Sequence, residues 1–369
     1  MPGETLGADP LTPVLTTPYG TPRRPRAVTG SAVAAVWTPS SPAPARFPRR
    51  FARALDALTA EGFDVRCAPR AQASDGMFAG TPQQLADELH GLLLDPEIDL
   101  VFCAVGGYTT MRVLPYLDFG LIREHIKPIV GYSDITSLLW AVLRQAGAVT
   151  FHGPMVVSEW GEADGAWPYS VDRFREVLAP WRGPIGLSAP PEWTDEFLLW
   201  DGEEDVRPRR ARPGSWRTLV PGRAEGWLLP GCLPTAGRLF DTPWMPDSDG
   251  AILCLETLCM GPEELLGLLL QWRWSGRFER IKGLVIGRHC RPAGTPEDFD
   301  RVVLEGLGRD DVPVLVDVDF GHTEPRLTLP VGTACLLDAS ATSLTLTEPA
   351  VDEATTPPTA RSVHRKGHP

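Results

Sequence analysis

Ser133 stands where a short apolar run, Ile126 to Val130, gives way to an amphipathic one, in the segment KPIVGYSDITSLLWAVL (Lys127 to Leu143). A serine on a tight strand-to-helix turn projects outward beside the unpaired N–H groups at the positive end of the helix, where developing negative charge is favoured. That placement suits a nucleophile. The motif is Gly-Tyr-Ser-Asp, not the G-x-S-x-G of ordinary α/β-hydrolases, so spacing alone leaves open that Ser133 or Asp134 merely caps the helix. Upstream, LVFCAV runs straight into Gly106-Gly107-Tyr108. Two glycines at the end of a buried strand allow close backbone approach and leave N–H groups free to point into a crevice. They could form half of an oxyanion hole, or only a tight turn that needs positive φ.

A serine nucleophile needs a base held by a third group. Of the seven histidines, His90 lies in a surface helix pattern, His125 follows Glu124 in a polar stretch, His289 ends IKGLVIG, and His364 and His368 fall in a polar tail. His152 and His322 remain. His322 follows the apolar run VPVLVDVDFG, and Glu256 closes AILCLE, an unusual end for a buried strand. The order Ser133, Glu256, His322 is one a triad can take, since geometry defines it. The alternatives are a salt bridge at a lobe contact for Glu256 and a turn or capping role for His322.

These residues must be carried by a scaffold, and the pattern predicts one. Ala32 to Trp37 and Phe63 to Cys67 read as strands, and Pro48 to Glu61 as a helix with Phe51, Leu55 and Leu58 on one face. Thr81 caps a helix through Leu94, and Leu100 to Val105 is a strand buried on both faces. The helix from Asp134 to Gln145 repeats Ile135, Leu138, Leu139, Val142 and Leu143 at helical spacing. Alternating strands and helices predict an α/β fold with a parallel sheet. A second set follows: strands near Ala224–Leu229, Ala251–Leu255, Ile281–Ile286 and Val312–Val318, helices at Pro262–Trp274 and Pro296–Leu307, and a terminal β pair from Leu327–Leu337 and Ser343–Thr347. The boundaries predicted are a flexible tail over 1–30, a nucleophile domain over 31–185, an exposed interlobe linker over 186–216, a second domain over 217–350, and a tail over 351–369. No internal repeat is evident.

Length and composition bound the function. A chain of 369 residues suggests about two domains. Its formal charge of −12 argues against nucleic acid or an anionic membrane surface as a partner. Nothing approaches the roughly 18 apolar residues of a membrane span, and the N-terminus lacks the pattern of a secretory signal, so a cytoplasmic location is expected. Seven cysteines, an odd number without a CxxC pair, are expected to be free thiols, with neither disulfides nor a zinc site.

GGYTTMRVLPYLDF, IVGYSDITSLL with HGPM, ILCLET and DFGHTEPRLTLPVG, in this order and at these intervals, resemble the serine LD-carboxypeptidase family, which includes muramoyl-tetrapeptide carboxypeptidases and microcin C self-immunity peptidases. The match covers about residues 33 to 340. The resemblance implies a flavodoxin-like N-terminal lobe, a smaller C-terminal α/β lobe with a barrel-like sheet, a site between the lobes, and a homodimer. It also implies a metal-free and cofactor-free serine hydrolase with Ser133 as nucleophile, His322 as base, Glu256 orienting the imidazole, and an oxyanion hole from the Gly106-Gly107 turn and the N–H of Asp134.

PPEWTDEFLLW (Pro190 to Trp200) and GSWRTLVPGRAEGWLLPG look closer to the microcin-immunity branch, in which a loop aromatic stacks on the nucleobase of a peptidyl-nucleotide substrate. Trp193 is the corresponding residue, with Trp200 and Trp216 as alternatives; packing between lobes is the plainer role for all three. Two departures flank the expected pocket: Pro230-Gly231-Cys232-Leu233 stands where the family usually has Gly-Gly-Asn-Leu, and Val105 and Thr109-Thr110 surround the Gly-Gly-Tyr turn. Cys232 cannot give the two-sided hydrogen bonding of an amide. The expected substrate is a small peptide or peptidyl-nucleotide conjugate. A cell-wall tetrapeptide is the alternative, its free carboxylate held by Arg112, Arg238 or Arg326, and acyl transfer on the same scaffold is a third reading.

Overall fold

The computed structural model describes residues 17–353. The first sheet has six strands, five of them parallel: β1 (Val33–Trp37), β2 (Asp64–Cys67), β3 (Leu100–Cys103), β4 (Ile129–Gly131) and β5 (Thr150–His152); the sixth is antiparallel, at the β5 edge. Their order β2-β1-β3-β4-β5 is that of a flavodoxin-like lobe. The β3 run Leu-Val-Phe-Cys is wholly buried, as expected of a strand covered by helices on both faces. One face carries the helix Pro82–Leu94, which begins with the Thr81/Gln84 capping box. The other carries the helix Pro48–Ala60, with Phe51, Ala54 and Leu58 turned inward. Each fully buried large apolar side chain contributes about 1.5–3 kcal/mol.

The second sheet is mixed and has eight strands. Residues after β5 supply β6 (Ile185–Leu187), the two-stranded ladder β7 (Glu192–Trp193) and β8 (Arg212–Pro213), then β9 (Arg217–Val220), β10 (Arg223–Cys232), β11 (Ala251–Glu256), β12 (Gly283–Gly287) and β13 (Val314–Val318). The chain then makes β14 (Leu329–Val331), β15 (Ala334–Asp338) and β16 (Ser343–Leu346). The order is β6-β16-β15-β10-β11-β12-β13-β9, with β10 to β13 parallel. The end strands β6 and β9 do not pair with each other.

Three expectations are corrected. Leu327–Leu337 is not one strand. β14 leaves the second lobe and pairs antiparallel with β5, Leu329 opposite His152, while β15 pairs with β16; the turn at Gly332, φ 92°, separates the two. Residues 186–216 are not an exposed linker either. β6 joins the second sheet, Thr194 and Glu324 exchange backbone hydrogen bonds of 2.7 and 2.9 Å, and the buried Asp205 pairs with the fully buried Arg50. Of the charged residues in that segment Asp205 alone is buried, and the rest stay partly or fully exposed. Finally, residues 17–30 do not form a tail: Arg23 bridges to Ala148 and Arg26 to Asp352, and Val351 is buried. The remainder of both predicted tails, including His364 and His368, lies outside the described residues.

The lobes meet along β10 and the helix that follows Ser133. Trp140 Nε1–H donates to the Pro230 carbonyl at 2.8 Å, and the Cys232 N–H donates to Thr136 Oγ1 at 3.0 Å. Gly231 permits the approach, since a Cβ there would lie 2.7 Å from Thr136 Cγ2 and 2.8 Å from the Trp140 ring.

Candidate active site

Ser133 leaves β4 through Tyr132 and takes φ 60°, a left-handed conformation that only a few per cent of non-glycine residues adopt. The helix begins at once: a tight turn over Ser133–Ile135, an α-helix over Thr136–Ala141 and a wider turn over Val142–Ala146, capped by Gly147. A strained backbone held by a buried strand and helix is how a nucleophile is presented on such a turn.

The opposing lobe supplies the partners. Glu256 ends β11 beside Cys232 at the end of β10, and His322 lies on the loop after β13. His322 Nε2 is 3.1 Å from Ser133 Oγ, and its Nδ1 is 2.6 Å from Glu256 Oε2. A carboxylate can only accept, so Nδ1 carries the proton and Nε2 is left to accept from the serine hydroxyl. Burial alone would raise the Glu256 carboxyl. The charge of His322 and its hydrogen bond, then His152 and the Cys232 thiol, outweigh that and hold it below the usual range. Room for this carboxylate depends on two glycines: a Cβ on Gly287 or on Gly321 would lie 2.7 Å from Glu256 Cβ.

The Gly106-Gly107 turn faces the serine. A Cβ on Gly106 would lie 2.9 Å from Ser133 Cβ, 3.1 Å from Oγ and 3.4 Å from the Asp134 nitrogen, and Gly107 has φ 151°. The Asp134 carboxylate anchors the turn: its Oδ2 accepts from Ser40 Oγ at 2.6 Å, the N–H groups of Thr109 and Thr110 at 2.8 Å each, and Thr110 Oγ1 at 2.7 Å. Thr109 and Thr110, noted as departures, therefore fasten the turn to the residue after the serine.

Among the sequence candidates, His152 is wholly buried on β5, with Nε2 bound to the Phe320 carbonyl at 2.9 Å, and burial pushes it down to about 4. It is a neutral core histidine. Cys232 is buried and absent from the cavity lining; its thiol faces Glu256 and Thr235, and burial, then the Glu256 charge, push it well up. Trp193 is displaced from its expected place. It lines a separate cavity, with the guanidiniums of Arg212 and Arg288 over its ring at 4.0 and 4.4 Å. Trp216 is buried with its indole N–H on Asp319 at 2.9 Å. Of the three tryptophans, Trp200 lines the cavity at Ser133, its ring edge-on to Phe47 at 5.3 Å.

That cavity, of about 310 Å³, lies between the lobes and includes Gly106, Gly107, Ser133 and His322. Its lining also holds a charge cluster of which the sequence pointed only to Arg326. Arg326, 2% exposed, pairs with Glu159 at 2.9 Å and with Glu324, and stacks on the Tyr132 ring at 3.8 Å. Glu159 interrupts the apolar run PMVVSEW, the same signal that singled out Glu256. Arg112 instead covers the Phe78 ring at 3.4 Å, and Arg238 lies 3.8 Å from Asp134 Oδ1. Neither lines the cavity. All seven cysteines are free thiols, Cys67 and Cys259 exposed and the rest buried. Among the described residues no helix is long and apolar enough to cross a membrane, and no group of three or more His, Cys, Asp or Glu could hold a metal ion.

Comparison with known proteins gives the same outline. The LD-carboxypeptidase N-terminal domain matches residues 34–153 and the LD-carboxypeptidase C-terminal domain residues 225–337. A murein tetrapeptide carboxypeptidase of Pseudomonas aeruginosa is 34% identical over 78% of this chain and 87% of its own. The microcin C7 self-immunity protein MccF of Escherichia coli is 28% identical over 84% of this chain and 91% of its own. A solved structure of MccF with glutamyl sulfamoyl guanosine superposes with a TM-score of 0.84 at 26% identity, covering 90% of this chain and all of that one. MccF has also been solved with aspartyl sulfamoyl adenosine, with the same TM-score and coverage.

Proposed function

The chain belongs to the LD-carboxypeptidase family, and on that premise we propose that it is a serine-type amide hydrolase that cleaves a small peptidyl or aminoacyl-nucleotide conjugate, with a self-immunity role. The observation that carries this reading is the Ser133–His322–Glu256 chain of contacts, 3.1 and 2.6 Å, at the wall of the interlobe cavity. Ser133 Oγ attacks the scissile carbonyl while His322 Nε2 takes its proton, and Glu256 holds the ring and stabilises the imidazolium. The N–H groups of Gly107 and Asp134 receive the oxyanion. His322 then returns the proton to the leaving amine, and water cleaves the acyl-enzyme by the same route in reverse.

The nucleotide branch is favoured by the cavity's aromatic wall of Phe47, Phe197 and Trp200. An aromatic face contributes about 1–3 kcal/mol of stacking to a nucleobase. The cell-wall reading needs a cation for a substrate carboxylate, and of Arg112, Arg238 and Arg326 only Arg326 lines the cavity, where Glu159 and Glu324 already engage it. The test is a mass-spectrometric turnover assay of the parent and Ser133→Ala proteins with aspartyl sulfamoyl adenosine and a muramoyl tetrapeptide side by side. Cleavage of the nucleotide conjugate by the parent alone is expected. Loss of D-alanine from the tetrapeptide instead makes this a cell-wall enzyme, and transfer of the acyl group to an added amine makes it an acyltransferase. Sedimentation of the purified chain checks the homodimer that the family resemblance implies.

A further inference from the structure

The cluster around Arg326 is more than a support for the site. Five carboxylates line the cavity, those of Glu159, Glu162, Asp195, Glu196 and Glu324, against three guanidiniums, those of Arg209, Arg291 and Arg326. Glu159 is saturated: it accepts from Tyr132 Oη at 3.1 Å, the Met155 N–H at 2.6 Å, Ser158 Oγ at 2.8 Å and Arg326 Nη2 at 2.9 Å. Arg209 is drawn to Glu162 at 3.1 Å and is 3.9 Å from Glu324 Oε1. Glu324 differs from its neighbours. Its Oε1 faces Arg326, but Oε2 is buried and accepts no hydrogen bond among the described residues. Burial pushes this carboxyl up, by more than the Arg326 charge pulls it down. A buried, unpartnered carboxylate oxygen is costly, and a cationic donor beside it removes the cost.

Position says where such a donor would be. Glu324 is two residues beyond His322, so the two backbones are at most about 7 Å apart. In an aminoacyl group the α-nitrogen lies about 2.5 Å from the carbonyl carbon, as N–Cα and Cα–C bond lengths require. A carbonyl held at Ser133 therefore keeps its own α-amino group within the cavity that Glu324 also lines. We propose that Glu324 selects substrates that carry a free, protonated primary amine next to the scissile carbonyl, that is, an unblocked aminoacyl group. The assignment rests on the hydrolase reading of the same cavity and narrows its substrate class. Arg326 Nη1 is also without a partner, but a substrate anion there would meet the carboxylates of Glu159 and Glu324 on the same guanidinium.

The test is calorimetric binding to the full-length Ser133→Ala protein of two probes, aspartyl sulfamoyl adenosine and its Nα-acetyl derivative. The free amine is expected to bind about 10- to 100-fold more tightly, the range for a charge-assisted hydrogen bond. Adding Glu324→Gln is expected to shrink that ratio to about threefold or less. Equal affinities, tighter binding of the acetylated probe, or binding of neither overturns the proposal, as does a ratio that survives Glu324→Gln. The first comparison changes nothing at Glu324, so it stands if that variant fails to fold, and Glu324→Asp then serves as the second variant. Turnover by the parent protein judges the hydrolase reading separately, because the affinity ratio is read without it.

Discussion

Replacing Glu256 by Gln keeps the shape of a wholly buried side chain and removes its charge, which isolates what the carboxylate does. The 2.6 Å contact to His322 Nδ1 then has two possible forms. If the amide oxygen accepts, the ring stays in place, but the imidazolium formed during attack loses a charge-assisted bond worth about 1.5–3 kcal/mol. If the amide N–H₂ faces Nδ1, the proton must sit on Nε2, and the ring can no longer accept from Ser133 at 3.1 Å. The first form alone lowers kcat about 10- to 10²-fold and the second, which leaves the ring in the wrong tautomer, about 10⁴-fold, with KM little changed in either. Stability carries an independent signature. Glu256 is held below its unfolded value, so the stability it contributes is present above about pH 4.5 and is lost as pH falls through its folded value. The parent should therefore exceed Glu256→Gln in thermal stability at neutral pH, and the gap should close on acidification. The assay is kcat and KM by mass spectrometry with melting followed by circular dichroism. A variant that melts like the parent and retains more than about a tenth of its kcat would refute the assigned role of Glu256.

Gly321→Ala places a methyl 2.8 Å from Glu256 Oε2, so the carboxylate must move off His322; a fall in kcat of at least about 10²-fold with soluble protein is expected, and unchanged kcat would show the loop can yield. Trp200→Ala is expected to raise KM for a nucleotide conjugate about 5- to 100-fold with kcat nearly constant, whereas Trp193→Ala should leave KM alone and lower the melting temperature, because its ring packs under two guanidiniums; the opposite pattern would return Trp193 to the substrate. His152 is buried neutral and pushed down to about 4, so the unfolded chain binds its proton first as pH falls below about 6.5. The parent should lose stability between about pH 6.5 and 4, and His152→Gln should lessen that loss in urea titrations; an identical pH dependence would sink the assignment.

What the sequence made visible was local. Ser133 could be read from the change of period around it, Glu256 from a carboxylate closing an apolar run, and the β3 and β4 strands from uninterrupted hydrophobic residues between turns. Each of these signals is set within about ten residues. The misreadings all depend on partners far away along the chain. β14 looked continuous with β15 because both are apolar, but past the turn at Gly332 they pair with different sheets, β14 with β5 and β15 with β16. The Arg- and Glu-rich stretch after Trp181 is largely exposed, yet its Asp205 is buried against Arg50, more than a hundred residues back in the chain. Trp193 fitted a stacking role by type and loop position, but Arg288, on the loop after β12, claims its ring. Asp134 read as a cap or a source of one N–H group; that its carboxylate fastens the Gly106-Gly107 turn required Ser40, Thr109 and Thr110 to be placed together.

The account stands on an activated Ser133, and covalent labelling tests that without knowledge of the natural substrate. Purified parent, Ser133→Ala and His322→Ala proteins are treated with a fluorophosphonate, and intact mass and peptide mapping locate the adduct. The predicted result is a single adduct on Ser133 in the parent, none in Ser133→Ala, and labelling slowed by at least about 10²-fold in His322→Ala. An unlabelled parent, or an adduct that persists in Ser133→Ala, would contradict it.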